Sequence, residues 1–368
     1  MSPTDPLLPG ATIGILGGGQ LGRMLALAAR PMGYHTAVLC PEPNCPASHV
    51  ADIHIEADYQ DPEAINRLAE LADVATVEFE NIPAETLQAV AAKLPLRPSW
   101  QAIHICQNRE REKAWLRKNN FPLPDAQVVD SPESLAAAAA SIGTPCVLKT
   151  AAFGYDGKGQ QKIESPDFDP QITWDKLAAP KGVVEQWVSF EREISVICAR
   201  STNGEIAIYD PADNVHTNHI LDTSTLPSTA PEKTLDAARA LASDILGAFE
   251  YVGVLGVELF VTTAGDLLVN ELAPRTHNSG HHTIDACATS QFEQQLRAIC
   301  GLPLGSTALL APCTMKNLLG ETWLDAPDGN PDWHSLLAKN PASHLHLYGK
   351  TEPKHARKMG HFTTLNPK

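Results

Sequence analysis

Two glutamates, Glu258 and Glu271, flank a short turn in VELFVTTAGDLLVNE. If Ala264 and Gly265 form a two-residue hairpin turn, Thr263 pairs with Asp266, Phe260 with Val269 and Glu258 with Glu271. Two carboxylates then face each other with Cβ atoms about 4.5–5.5 Å apart, which destabilises a sheet unless something lies between them. A divalent cation removes the conflict. Carboxylate oxygens completed by phosphate and water suit magnesium. Asn270 is adjacent, although strand alternation turns it to the other face unless a bulge intervenes. Two solvated glutamates on an exposed sheet are the plainer alternative. The apolar neighbours Val257, Leu259, Leu268 and Leu272 favour a structured site.

Four other stretches carry chemistry. AFGYDGKGQ (152–160) follows PCVLKT; Gly154, Gly157 and Gly159 allow backbone amides to approach phosphate oxygens, and Lys149 and Lys158 add charge. It lacks the Walker spacing, and a flexible surface loop is the alternative. GGGQLG (17–22) fits GxGxxG through Gly17, Gly19 and Gly22, with Glu42 about 20 residues on. That turn suits a dinucleotide, another phosphorylated molecule, or close helix–sheet packing. APRTHNSGHH offers Arg275, His277, Asn278, Ser279, His281 and His282; an anion or polar-substrate site is more economical than zinc, since no cysteine or carboxylate joins at metal-site spacing. YGKTEPKHARKMGHFT carries Lys350, Lys354, Arg357 and Lys358 against Glu352, which suits a wall for a phosphorylated substrate or a solvated basic end.

The elements that must position these residues are legible in outline. ATIGIL is a buried strand, QLGRMLALAAR a helix with Leu21, Leu25 and Ala28 at helical spacing, HTAVLC a second strand. DPEAINRLAELA is a helix capped by Asp61, with Pro62 in its first turn, and VATVEFE a third strand. This alternation predicts a parallel sheet covered by helices. After PLRPSW a helix is expected over roughly 101–119. SPESLAAAAASIG is a helix capped by Ser131 and closed by Gly143. CVLKT, GVVEQWV and EISVICAR are strand-like, TLDAARALASDILGAFEYVG is a long helix, and VLGVELFVTTAGDLLVNELAPR a hairpin. The fold class is α/β and α+β. The expected units are 1–106, 107–300 and 301–368, the last with the basic tail.

The chain has 368 residues, 43% hydrophobic, enough for two or three domains. A formal net charge of −15 argues against nucleic-acid or membrane-surface binding, and no run is long and apolar enough to cross a membrane. The start lacks the features of a signal peptide. Eight cysteines without CxxC spacing suit reduced, buried thiols in a cytoplasmic protein.

Together the strings GILGGGQLGRML, EFENIP, GYDGKGQ, NELAPRTHNSGHHTIDAC and RKMGH resemble, in order and over nearly the whole chain, the 5-(carboxyamino)imidazole ribonucleotide synthetases of purine biosynthesis, a family of ATP-grasp ligases. The resemblance implies a Rossmann-like N-terminal domain, a central ATP-grasp domain and a small C-terminal domain, assembled as a homodimer. It implies that ATP, bicarbonate and 5-aminoimidazole ribonucleotide give the N-carboxylated ribonucleotide, ADP and phosphate, with Mg2+. By resemblance, Arg109, Lys149, the loop Gly154, Tyr155, Asp156, Gly157, Lys158, Gly159 and Gln160, then Glu185, Gln186, Trp187, Val188, Glu193, His216, Asn270 and Glu271 contact ATP. Glu258 and Glu271 hold the metal. Gln20, Glu78, Arg275, Asn278, Ser279, Lys350, Arg357 and Lys358 surround the ribonucleotide, with the turn at 17–22 and its helix N-terminus serving that ligand. Arg275, His281 and Lys149 are the catalytic candidates, and either His281 or released phosphate takes the proton from the amine. Two positions depart from the family pattern: Asn108 stands where an aspartate is expected and His219 where a glycine is usual.

Three rivals are distinguishable. A nicotinamide enzyme built on GGGQLG leaves the other motifs without a role. A second ATP-grasp ligase would join a different carboxylate, such as formate, to a related amine. A regulatory subunit would bind MgATP without turnover.

Overall fold

The computed structural model describes residues 5–152, 154 and 159–366. The first unit holds β1 (Thr12–Leu16), α1 (Gln20–Ala29), β2 (His35–Leu39), β3 (Ile53–Ile55), α2 (Pro62–Leu71), β4 (Val74–Val77) and α3 (Ala84–Ala91). Its sheet is parallel in the order β3-β2-β1-β4, as the alternating pattern predicts. The short β3 is an addition to that reading; three residues are too few for periodicity to register. The Asp61 carboxylate accepts the Glu63 amide at 2.9 Å and starts α2. Leu16, Leu39, Leu68 and Val77 are buried on one face. On the other, Ile13, Ile15, Met24 and Leu25 pack with residues far along the chain, Phe292, Leu296 and Ile299.

The expected helix over 101–119 is two: α4 (Trp100–Cys106) and α5 (Arg109–Lys118). The break falls at Gln107–Asn108, where Asn108 takes an extended backbone and caps α5 by accepting the Arg111 amide at 3.2 Å. A smaller antiparallel sheet follows from β5 (Ala126–Val129), α6 (Pro132–Ile142), β6 (Cys146–Thr150), β7 (Gln160–Ile163), α7 (Pro170–Leu177) and β8 (Gly182–Gln186), in the order β5-β8-β6-β7. Ser131 and Ser134 form a reciprocal capping box on α6.

The large sheet is built from β9 (Phe190–Arg200), β10 (Ile206–Ile208), β11 (Ala212–Thr217), β12 (Ile220–Leu226), β13 (Gly253–Thr262) and β14 (Leu267–Ala273), with α8 (Glu232–Ala248) on one face. Then come α9 (Thr283–Ala286), α10 (Gln291–Cys300), β15 (Cys313–Leu319), α11 (Glu321–Leu324), α12 (Trp333–Lys339), β16 (Ser343–Leu347) and β17 (Lys358–Leu365). The order is β14-β13-β9-β11-β12-β15-β17-β16, so one antiparallel sheet runs from the central region into the tail. Helix α10 meets both α1 and β13, and the Gln295 amide reaches Thr76 Oγ1 at 2.9 Å. The first and central regions therefore share a core.

Candidate active site

The turn between β1 and α1 is shaped by a carboxylate. Glu78, just after β4, accepts the amides of Gly19 at 2.8 Å and Gly22 at 3.1 Å. Gly17 has a φ of +110°, and a Cβ there or at Gly19 would collide with the Glu78 side chain. Glu78 thus takes up two of the turn's amides, while Gln20 and Leu21 at the start of α1 line the cavity. Burial raises the pKa of Glu78, against the opposing pull of the Gly22 and Gly19 amides and of Arg275. Glu42 is exposed beyond β2.

The hairpin of β13 and β14 does bring Glu258 opposite Glu271, but by another route than the expected two-residue turn. Phe260 pairs with Leu268 rather than Val269, because the turn closes with the Thr262 amide on the Asp266 carbonyl. A bulge at Asn270 then restores the glutamate pair. The inserted residue turns its amide to the same side, and Asn270 Nδ2 lies 3.5 Å from Glu258 Oε2. Burial and the facing Glu271 push Glu258 up to about 8. His277 Nε2 stands 3.3 Å from Glu258, and Arg109 contacts Glu271 at 3.6 Å. The donor set is two hard carboxylates and one amide, which suits Mg2+. Among the described residues no three His, Cys, Asp or Glu side chains form a complete cage, so the remaining positions would fall to phosphate and water.

Beside the pair, Lys149 at the end of β6 donates to Glu185 on β8 at 2.7 Å. Burial alone would raise Glu185, but Lys113 and Lys149 hold it at about 2. Trp187 lies under the Lys162 ammonium, 4.0 Å from the ring centre. Glu193 on β9 and His216 on β11 are 2.5 Å apart; burial opposes the charged imidazole, and Glu193 outweighs it and raises its pKa. Gly154, Gln160, Gln186 and Val188 complete this wall. Gly159 has a φ of +71° and its carbonyl accepts the Thr150 amide. Tyr155, Asp156, Gly157 and Lys158 lie outside the described residues.

The opposite wall gathers the segment after β14 and the tail. Arg275 is paired with Glu80 at 2.5 Å. Among the described residues, the buried Asn278 Nδ2 has no hydrogen-bond partner, as suits a group that binds a ligand. Ser279 does not reach the cavity: it is fully buried and bonded to Ser195 at 2.7 Å and His277 at 2.9 Å. It can orient His277 but cannot contact a ribonucleotide as expected. His281 lines the cavity, and burial together with nearby His277 drives its pKa far down, leaving a neutral imidazole. Lys350 donates to the Lys358 carbonyl at 2.7 Å; burial and Arg357 lower it to about 8. Sequence reading missed Glu80 and Lys113 and gave His277 only as one donor among several. Glu80 lies within EFENIP, but its partner is 195 residues away.

All these walls bound one cavity of about 1690 Å³, larger than a site for a single small ligand. Gln20, Arg357 and Lys358 line it with the residues above. A hairpin carrying paired carboxylates and a strand lysine bonded to a buried glutamate, on two sheets facing one cleft, define an ATP-grasp ligase. The family model of the ATP-grasp domain matches residues 114–292, that of the ribonucleotide synthetase preATP-grasp domain 10–107, and that of the phosphoribosylaminoimidazole carboxylase C-terminal domain 313–368. N5-carboxyaminoimidazole ribonucleotide synthase of Brucella melitensis is 45% identical over 98% of both chains, and that of Bacillus subtilis 44% identical over 98% of this chain and 92% of its own. An ADP complex of an N5-carboxyaminoimidazole ribonucleotide synthetase superposes with a TM-score of 0.94 at 46% identity, covering 99% of this chain and 95% of that one. The Aspergillus clavatus enzyme in complex with ADP and 5-aminoimidazole ribonucleotide has a TM-score of 0.88 at 32% identity, covering 97% and 94%. The chain belongs to the N5-carboxyaminoimidazole ribonucleotide synthase family.

Proposed function

We propose that the protein carboxylates 5-aminoimidazole ribonucleotide with bicarbonate at the expense of ATP, releasing ADP and phosphate, as a step of purine synthesis. We further propose that it works as a cytoplasmic homodimer with Mg2+, on units 1–106, 107–300 and 301–368. The observation that carries the reading is the single cleft. It joins the carboxylate hairpin, the strand lysine and the cationic tail, so a nucleotide and a second phosphorylated ligand fit side by side.

Bicarbonate is a poor electrophile. Its oxygen attacks the γ-phosphorus of ATP, ADP leaves, and carboxyphosphate forms. Glu258, Glu271 and Asn270 would hold Mg2+, which when bound neutralises phosphate charge. Lys149 and Arg109 act on the nucleotide from β6 and α5. Arg275, oriented by Glu80, supplies fixed positive charge where carboxyphosphate forms. Lys350, Arg357 and Lys358 bind the phosphate of the ribonucleotide, and Gln20 and Glu78 face its other end. The exocyclic amine then bonds to the carboxyl carbon, directly or after carbon dioxide is released, and phosphate departs. Neutral His281 or the departing phosphate accepts the amine proton. Most of the rate comes from positioning and charge.

The test is phosphate release from MgATP and bicarbonate, with and without 5-aminoimidazole ribonucleotide. Strong stimulation, lost in Glu271→Ala, is expected. ATP binding without stimulation would reject this substrate and call for a panel of amines and carboxylates.

A further inference from the structure

Strand β14 ends the large sheet, so its outer edge would present unpaired amides and carbonyls. Helix α5 and the segment after it cover that edge. The Pro122 carbonyl accepts the Val269 amide at 2.8 Å, and the Glu112 carboxylate accepts the Leu272 amide at 3.0 Å. Between these two contacts sits the bulge, and there the Lys113 ammonium donates to the Asn270 carbonyl at 2.5 Å. Lys113 is 2% exposed, with Glu112 at 3.7 Å and Glu185 at 3.9 Å. Burying an ammonium is costly, and a well-packed apolar side chain often serves stability as well or better. A lysine here therefore points to a positional task.

We propose that Lys113 is a positioning residue that pins the Asn270 bulge, and so fixes the register that points Asn270 and Glu271 toward the metal. The geometry explains why the bulge matters. Without it, the pairing of Phe260 with Leu268 would continue and set Asn270, not Glu271, opposite Glu258. One-residue slips invert the faces of a strand. Lys113 also touches Glu185, and its neighbour one turn back on α5, Arg109, touches Glu271. One helix thus presents contacts to both sides of the nucleotide wall. The inference rests on the reading of Glu258 and Glu271 as metal ligands.

The experiment titrates Mn2+ onto the full-length protein with saturating ADP, read by electron paramagnetic resonance, alongside amide hydrogen exchange. Variants are Lys113→Met, Lys113→Met with Glu112→Gln, and Glu271→Ala. The double variant leaves no unpaired buried carboxylate from Glu112 and keeps an oxygen for the Leu272 amide, which protects the test if Lys113→Met fails to fold. Metal ligands lose about 10–100-fold in affinity when their supporting contacts go. The expected result is a loss of Mn2+ affinity of roughly tenfold or more in the Lys113 variants. Amides 269–272 should exchange faster and those of β1 unchanged, and the half-saturating Mg2+ for phosphate release should rise more than kcat falls. Wild-type Mn2+ affinity and unchanged exchange at 269–272 in the double variant would overturn the role of Lys113. If Glu271→Ala also kept wild-type Mn2+ affinity, the metal-site reading itself would fall, which separates the two failures.

Discussion

Lys350 is the residue whose titration the assay can see. Burial and the Arg357 charge lower it to about 8, so its cation is lost as pH rises through that value. If it binds the ribonucleotide phosphate, kcat/KM for that substrate falls above pH about 8, because kcat/KM reports the free enzyme. A charge-assisted hydrogen bond is worth about 1.5–3 kcal/mol, so Lys350→Met should raise KM by roughly tenfold or more and remove the alkaline limb. Lys350→Arg should keep the cation and move the limb upward. A pH profile of the three proteins, with ATP saturating, decides this.

At the scale of elements, the two departures from the family pattern have local explanations. Asn108 caps α5, which carries Arg109 and Lys113, and asparagine caps about as well as aspartate. Asn108→Asp is expected to be nearly neutral, while Asn108→Ala costs about 1 kcal/mol in denaturant unfolding and raises KM for ATP. His219 lies between β11 and β12 with a φ of +66°, a backbone that favours glycine. The left-handed backbone costs a non-glycine residue about 1–2 kcal/mol, against roughly 0.5–1 kcal/mol of extra unfolded-state entropy for glycine. Strain wins, so His219→Gly should stabilise the protein by up to about 1 kcal/mol, seen as a higher Tm.

The whole molecule depends on a sheet that crosses from the central region to the tail. Thr223–Leu226 of β12 pair with Cys313–Lys316 of β15, and β15 pairs with β17, which begins at Lys358. Removing residues 313–368 would bare the edge of β12 and delete four cations of the cleft, Lys350, Lys354, Arg357 and Lys358. A chain ending at 312 is expected to aggregate rather than persist as a smaller ligase, measured by its soluble fraction and circular dichroism. A soluble, cooperatively unfolding 1–312 fragment would contradict the dependence.

Within a few residues, the amino-acid order was decisive. Asp61 and Ser131 start helices because a side-chain oxygen reaches an amide two or three positions on, and the five long strings carried the family likeness. Even the facing of Glu258 and Glu271 was legible, although the reasoning behind it held two offsetting errors: a turn one step too short and a bulge that alternation cannot reveal. What remained hidden lies in contacts across 56 to 219 residues, namely Glu78 filling the glycine turn, Gln295 on Thr76, and Lys113 on the Asn270 carbonyl. Periodicity reports which face of an element is apolar, and says nothing about which distant carboxylate or ammonium will meet it. Only packing the elements together decided that a two-glycine approach would seat Glu78, that Ser279 would turn inward to His277, and that α5 would close the edge of β14.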